Sequence, residues 1–307
     1  MKFVRYILLS LFLVSCMNVP ATSQVEIEST STAISQSTNE VVESTQVAQA
    51  TPRPTLGPDE WKQLPVIPVV SEAMKEVYQR GLEMGRNPNV FSKVGDCQTS
   101  TGFYLVDFDY PNQYSLGEYI DLQETIDYFE GSFARDSLAM RDGYNVAAIL
   151  TPLRADPENC EPNETPIACE FRVNNPSIAL ISLETNFNGR PADDYGKYMR
   201  QIVEYSLEQG VVPILATKGD NLEGDHSINA EIAEIAVEYD IPLWNFWAAL
   251  QPLPNQGHST ELNDGFHLSF SRNFFDKEKN MLSGWPWRNL TALQALDAVR
   301  RALASGE

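Results

Sequence analysis

The feature that most limits the fold is a series of short apolar segments alternating with amphipathic ones across residues 177–247. Ser177–Leu183 (SIALISL) and Val211–Thr217 (VVPILAT) are continuous apolar runs of strand length, without regular polar alternation. Runs of that kind belong to strands buried on both faces. Between and after them, Ala192–Leu207 and Ser227–Tyr239 carry apolar residues at helical spacing. Gly210 closes the first helix, and Ser227 offers an N-cap for the second. Ile241–Trp247 reads as a further strand and Leu290–Leu303 as a final amphipathic helix. Strands alternating with helices predict an α/β fold, a parallel sheet of about five strands covered on both faces.

The upstream half is less regular. Ser71–Met84 has helical spacing and a stop at Gly85. Val90–Cys97 reads as a strand running into a Gly-Asp turn, and Gln98–Asn112 as a long aromatic loop. Leu116–Phe129 is expected to be helical, and Ser137–Met140 a short strand ahead of Asp142-Gly143. Asn145–Leu150 fits either a strand or the first turns of a helix.

The amino terminus sets an address. Lys2 and Arg5 precede a short apolar run, Tyr6–Val14, of signal-peptide rather than membrane-spanning length. The run ends in Leu13-Val14-Ser15-Cys16, which resembles the lipobox of bacterial lipoproteins. That resemblance implies cleavage before Cys16, lipidation of its sulfur, and export with the chain held at the membrane by lipid alone. Several acyl chains at about 0.8 kcal/mol per buried CH₂ suffice for stable anchoring. Residues 17–58 are rich in Ser, Thr, Gln, Val and Pro and nearly free of aromatics, the composition of a disordered tether. The expected organisation is a signal peptide at 1–15, a tether at 16–58 and one globular domain at 59–307.

The net charge of −20 opposes nucleic-acid binding, which needs basic surface to replace phosphate counterions, and opposes adhesion to anionic lipid. Besides Cys16 there are three cysteines, Cys97, Cys160 and Cys169, an odd number for an exported chain. A Cys160–Cys169 disulfide would close a short loop and leave Cys97 over. A disulfide from Cys97 to either would consume Cys97 instead. His226 and His258 lie in polar stretches and read as solvated. With His267 they form no metal-ligand pattern, so no metal site is expected from them. Trp244, Phe246 and Trp247 read as core. Trp285 and Trp287, around Pro286, are either a packed loop or the wall of a substrate cleft.

In doubly wound sheets chemistry collects beyond the carboxyl ends of the strands. Four motifs fall there: Gly95-Asp96-Cys97, Asp142-Gly143-Tyr144-Asn145, Glu184-Thr185-Asn186 and Asp264-Gly265-Phe266-His267-Leu268-Ser269. Their order resembles the SGNH, or GDSL-type, hydrolases over roughly residues 90–304. The resemblance implies a doubly wound, flavodoxin-like three-layer sandwich that hydrolyses acyl esters without a metal or organic cofactor, with acylated glycans among the expected substrates. It implies Cys97 as nucleophile, His267 as base and Asp264 as the acid orienting it. It further implies an oxyanion hole from the N–H groups of Cys97 and Gly143 and the Asn186 amide. Two positions depart from the family. Cys97 stands where the family has Ser, and Glu184-Thr185-Asn186-Phe187 stands where Gly-x-Asn-Asp is usual. A thiolate attacks acyl carbons well, so the first departure is compatible with catalysis. Both departures also suit an alternative of another class: a catalytically inactive surface lipoprotein that binds a glycan or protein partner through the retained cleft.

Overall fold

The computed structural model describes residues 55–100, 102–183 and 189–305. Cys16, the signal segment and Asn186 lie outside the described residues. Helix α1 (Glu72–Glu83) opens at Ser71, whose hydroxyl accepts the Met74 N–H. Strand β1 (Asn87–Gly95) leads directly into a one-turn helix, α2 (Cys97–Ser100). Helices α3 (Gln123–Tyr128), α4 (Val146–Ile149) and α5 (Pro166–Val173) precede β2 (Pro176–Ser182). Then come α6 (Ala192–Glu208), β3 (Val212–Ala216), α7 (Ser227–Glu238), β4 (Leu243–Trp244), α8 (Phe246–Leu250) and α9 (Gly284–Ala304).

The four strands form a parallel sheet in the order β1-β2-β3-β4, with Gly95 opposite Ser182, Leu180 opposite Ile214 and Ala216 opposite Trp244. Every residue of β2 and β3 is buried, as their unbroken apolar runs require. The helices fall into two contacting groups. Helices α4, α5, α6 and α7 pack on one another, as do α1, α3, α8 and α9. Handedness accounts for the separation of the crossover helices, α3 from α4–α7. Right-handed crossovers that step steadily from β1 to β4 place their helices on one face, and a step in the opposite direction places them on the other.

The opposite step is made by the segment expected as the fifth strand. Ser137–Met140 contributes a single parallel bridge, Gly95 to Met140, on the free side of β1. The Gly95 N–H donates to Ala139 O (3.0 Å), and the Arg141 N–H donates to Gly95 O (3.3 Å). The pairing stops there because the chain turns at once through Gly143, whose φ is +81°. The sheet therefore has four strands and one bridge rather than five strands, and β1 sits at the point where the winding reverses.

Other expectations are corrected by tertiary contacts. Ile241–Trp247 is a strand for two residues only. The Asn245 side chain donates to Trp61 O and Leu64 O (both 3.0 Å) and accepts the Ala248 N–H (3.3 Å), turning the chain into α8. Leu116–Phe129 is a 3₁₀ helix (Gly117–Leu122), interrupted at Tyr119 by non-helical geometry, followed directly by α3. Gln98–Asn112 is not a plain loop, since it holds most of α2 and a 3₁₀ turn, Val106–Asp109. The final helix begins at Gly284 rather than Leu290, because a proline in a first turn loses no helical bond. Trp285 and Trp287 are thus helical. The N-cap position of α7 is His226, at φ +58°, and Ser227 is the first helical residue. Neither His226 nor His258 is a solvated loop residue. His226 packs on the rings of Trp61 and Trp247 at 5.8 and 5.6 Å, and His258 is buried. Asn145–Leu150 resolves as helix α4, capped by the Asn145 carboxamide.

Cys160 and Cys169 are joined in a disulfide, and Cys97 is not disulfide-bonded. Among the described residues no helix is long and apolar enough to cross a membrane.

Candidate active site

The carboxyl end of β1 is shaped for a tight strand-to-helix turn. A Cβ on Gly95 would lie 2.3 Å from Thr99 Oγ1, so only glycine lets α2 fold back over the strand end. Asp96, fully buried, fixes that turn. Its carboxylate accepts the Gln98 N–H (3.0 Å), and its carbonyl accepts the N–H groups of Thr99 and Ser100. Cys97 stands at the head of α2, half-buried, in an open pocket shared with Ser100, Asp136, Met140, Arg141 and Asp142. The Ser100 hydroxyl bonds the Asp142 carboxylate across this pocket and so ties α2 to the turn that carries Gly143. Space around Gly143 is open, so glycine is needed there for its left-handed φ and not for room.

Asp264 and His267 lie on a loop with a narrow neck. At its base the Ser269 N–H donates to Gly257 O (2.8 Å), the Ser259 N–H donates to His267 O (2.8 Å), and His258 bridges Leu268. The start of α9 clamps the neck, since a Cβ on Gly284 would lie 2.3 Å from Gly257 O. Inside the loop, Asp264 Oδ2 is 2.6 Å from His267 Nδ1, and Asp264 Oδ1 accepts the N–H groups of Phe266 and His267 (3.0 Å each). The His267 backbone N–H, then its imidazole, then the Phe266 N–H hold the Asp264 carboxyl well below the usual carboxylate range. Asp264 is therefore held as an anion, which can only accept, so Nδ1 of His267 carries the proton of that bond and Nε2 is the ring nitrogen it does not engage.

The two parts meet through Gln98, whose Nε2 donates to Phe266 O at 3.3 Å. This contact sets the residue after Cys97 against the residue before His267. Gln98 is a member of the site that sequence reading missed, because glutamine at that place carries no motif signal. Arg288 was missed as well. It is buried beneath the strand ends, stacked among the rings of Tyr104, Phe246 and Trp244 (4.8, 4.9 and 5.6 Å), and donates to the Ser182 hydroxyl at 2.9 Å. Of the residues singled out from sequence, Cys97, Gly143, Asp264 and His267 are described, all beyond the carboxyl end of the sheet. Asn186 is not among the described residues.

No protein-family model matches the chain, and no curated protein does. Among solved structures, a GDSL-like lipase from Bacteroides thetaiotaomicron VPI-5482 aligns at 14% identity with a TM-score of 0.42, over 76% of this chain and 98% of its own. An acetyl xylan esterase aligns at 14% identity with a TM-score of 0.36, over 70% of this chain and 98% of its own.

Proposed function

We propose that the domain is an extracytoplasmic hydrolase of acyl esters, displayed from a lipid anchor at Cys16 and acting through Cys97, His267 and Asp264. The observation that carries this reading is the Asp264–His267 pair, bonded at 2.6 Å on a loop that Gln98 joins to the segment bearing Cys97. His267 Nε2 takes the thiol proton as Cys97 Sγ bonds to the acyl carbon. The N–H groups of Cys97 and Gly143, with the Asn186 amide, stabilise the oxyanion; losing one such donor costs about 3–4 kcal/mol. Collapse breaks the ester C–O bond, and His267 returns its proton to the leaving alcohol. Water, deprotonated by His267, then cleaves the thioester, releasing the carboxylic acid and restoring the thiol. Asp264 remains ionised throughout and stabilises the imidazolium.

A second reading is favoured by one observation: the pocket around Cys97 presents the carboxylates of Asp136 and Asp142 against the single guanidinium of Arg141. Negative surroundings oppose thiolate formation, as a binding protein that had lost catalysis would tolerate. One assay separates the two readings: p-nitrophenyl acetate and acetylated glycans with the wild type, Cys97→Ser and His267→Ala. Hydrolysis by the wild type that His267→Ala abolishes supports the enzyme. An inert wild type, with no gain in Cys97→Ser, leaves the binding protein.

A further inference from the structure

Two large aromatic side chains lie open to solvent on the same rim as the candidate site. Phe103 is 51% exposed and Phe270 59%, and their ring centroids are 4.7 Å apart. Phe103 also leans on Trp285, at 5.8 Å. The three rings make one wall of a pocket whose other wall is polar, with Asp107, Gln113 and Arg272. Phe270 is three residues past His267, a span of at most ~11 Å of extended chain. Two contacts link this pocket's side of the molecule to the candidate site: Gln98 with Phe266 near the dyad, and Phe103 with Phe270 farther out.

The pocket floor rests on buried, hydrogen-bonded carboxamides. Asn289, 1% exposed, donates to Phe103 O (2.8 Å) and to Asn273 Oδ1 (3.0 Å), and accepts the Leu105 N–H (2.8 Å). Asn273, also buried, donates to Asp107 Oδ2 (2.8 Å). These bonds hold Leu105 at φ +64°, an unfavourable conformation for a leucine that persists only where its surroundings enforce it. A surface loop that is merely solvated has no need of such a foundation.

We propose that this pocket is a carbohydrate subsite that seats a sugar ring of the substrate beside the acyl-transfer centre. A pyranose has an apolar C–H face and a rim of hydroxyls. The aromatic wall matches the face, and the carboxylate, carboxamide and guanidinium match the rim. An acyl chain would instead be pressed against charged groups without hydrogen bonds, which is costly. The subsite deepens the hydrolase reading and, as the acyl-bearing sugar's anchor, rests on it.

The test is calorimetric titration of the full chain carrying Cys97→Ala with xylopentaose, cellopentaose and chitopentaose. At least one of these binds, and Phe103→Ala and Phe270→Ala each weaken it about tenfold, the effect of losing one ring face from the contact. Leu153→Ala, on exposed surface elsewhere, leaves binding unchanged. The subsite is overturned if none of the three sugars binds, or if binding survives both phenylalanine changes. It is equally overturned if those changes raise KM for p-nitrophenyl octanoate and leave sugar affinity alone. The two proposals fail separately. Sugar binding with a wild type inert toward p-nitrophenyl acetate sinks the hydrolase and keeps the subsite. Hydrolysis without sugar binding does the reverse.

Discussion

Gln98 Nε2 donates to Phe266 O across 3.3 Å, so the residue after Cys97 is bonded to the residue before His267. Gln98→Met keeps the length of the side chain and removes the donor. It is expected to lower kcat on p-nitrophenyl acetate roughly ten- to a hundredfold, because small misplacements of reacting groups are amplified in rate. Steady-state kinetics beside a thermal melt check this. An unchanged kcat would show that the contact positions nothing.

Asp264→Asn leaves the loop its shape and presents an amide to His267 Nδ1 in place of a carboxylate. A fall in kcat of roughly 10³–10⁴ is expected, the cost of the wrong tautomer and an unsupported imidazolium. Because the folded carboxyl titrates below its ordinary value of about 3.9, its stabilising contribution is present above that value and is lost only as pH falls through the lower folded one. A pH–rate profile from about pH 4 upward therefore contains no limb from Asp264. Kinetics of wild type and Asp264→Asn across that range test both statements.

Lys93 lies within β1, 2% exposed, with its ammonium donating to Phe133 O at 2.7 Å. Burial pulls its pKa down to about 8, against about 10.4 in an unfolded chain. Between those values the unfolded chain holds a proton that the folded one has shed, so stability rises with pH through that window. The rise is on the order of 3 kcal/mol from this group. Unfolding free energies from urea titrations at either end of the window should differ in the wild type by that much more than in Lys93→Met.

Lys218 is buried at the end of β3 between two acids, 2.9 Å from Asp220 Oδ1 and bonded also to Glu223. Lys218→Met leaves two buried carboxylates without their cation. A loss of roughly 3–5 kcal/mol is expected in urea unfolding. Replacing Lys218, Asp220 and Glu223 together with apolar residues should cost less, since no charge is then stranded.

The Cys160–Cys169 disulfide spans a sequence separation of 9. Reduction, or Cys160→Ser with Cys169→Ser, should lower unfolding stability by roughly 2–3 kcal/mol through chain entropy. Thiol titration of the native wild-type domain should still find Cys97. A domain of unaltered stability after reduction would contradict the prediction.

The elements legible in the sequence are those whose cause is local. Strands β2 and β3 and helices α6 and α7 each carry their own hydrophobic period, and they stand within a residue or two of where that period puts them. Strand β4 was misjudged because Phe246 and Trp247 look strand-like locally, while the turn after Trp244 is made by Asn245 bonds to residues 61 and 64, up to 184 positions away. The site divides in the same way. Gly95-Asp96-Cys97 and Asp264-x-x-His267 are short motifs whose internal bonds connect neighbours. The Gln98–Phe266 bond joins residues 168 apart, and nothing near either residue announces it. Phe103 and Phe270 are nearly as far apart in the chain, and each alone reads as an ordinary aromatic.

The loop at 257–269 leaves and re-enters the fold through a neck fixed by backbone bonds and by the clamp of Gly284 on Gly257. Its tip, Thr260–Asn263, is exposed. In evolutionary terms the loop is a cassette. Residues inserted at the tip would raise one bank of the cleft while the neck kept Asp264 and His267 in register with Cys97. In the proposed hydrolase, substrate range would then drift by changes in loop length alone.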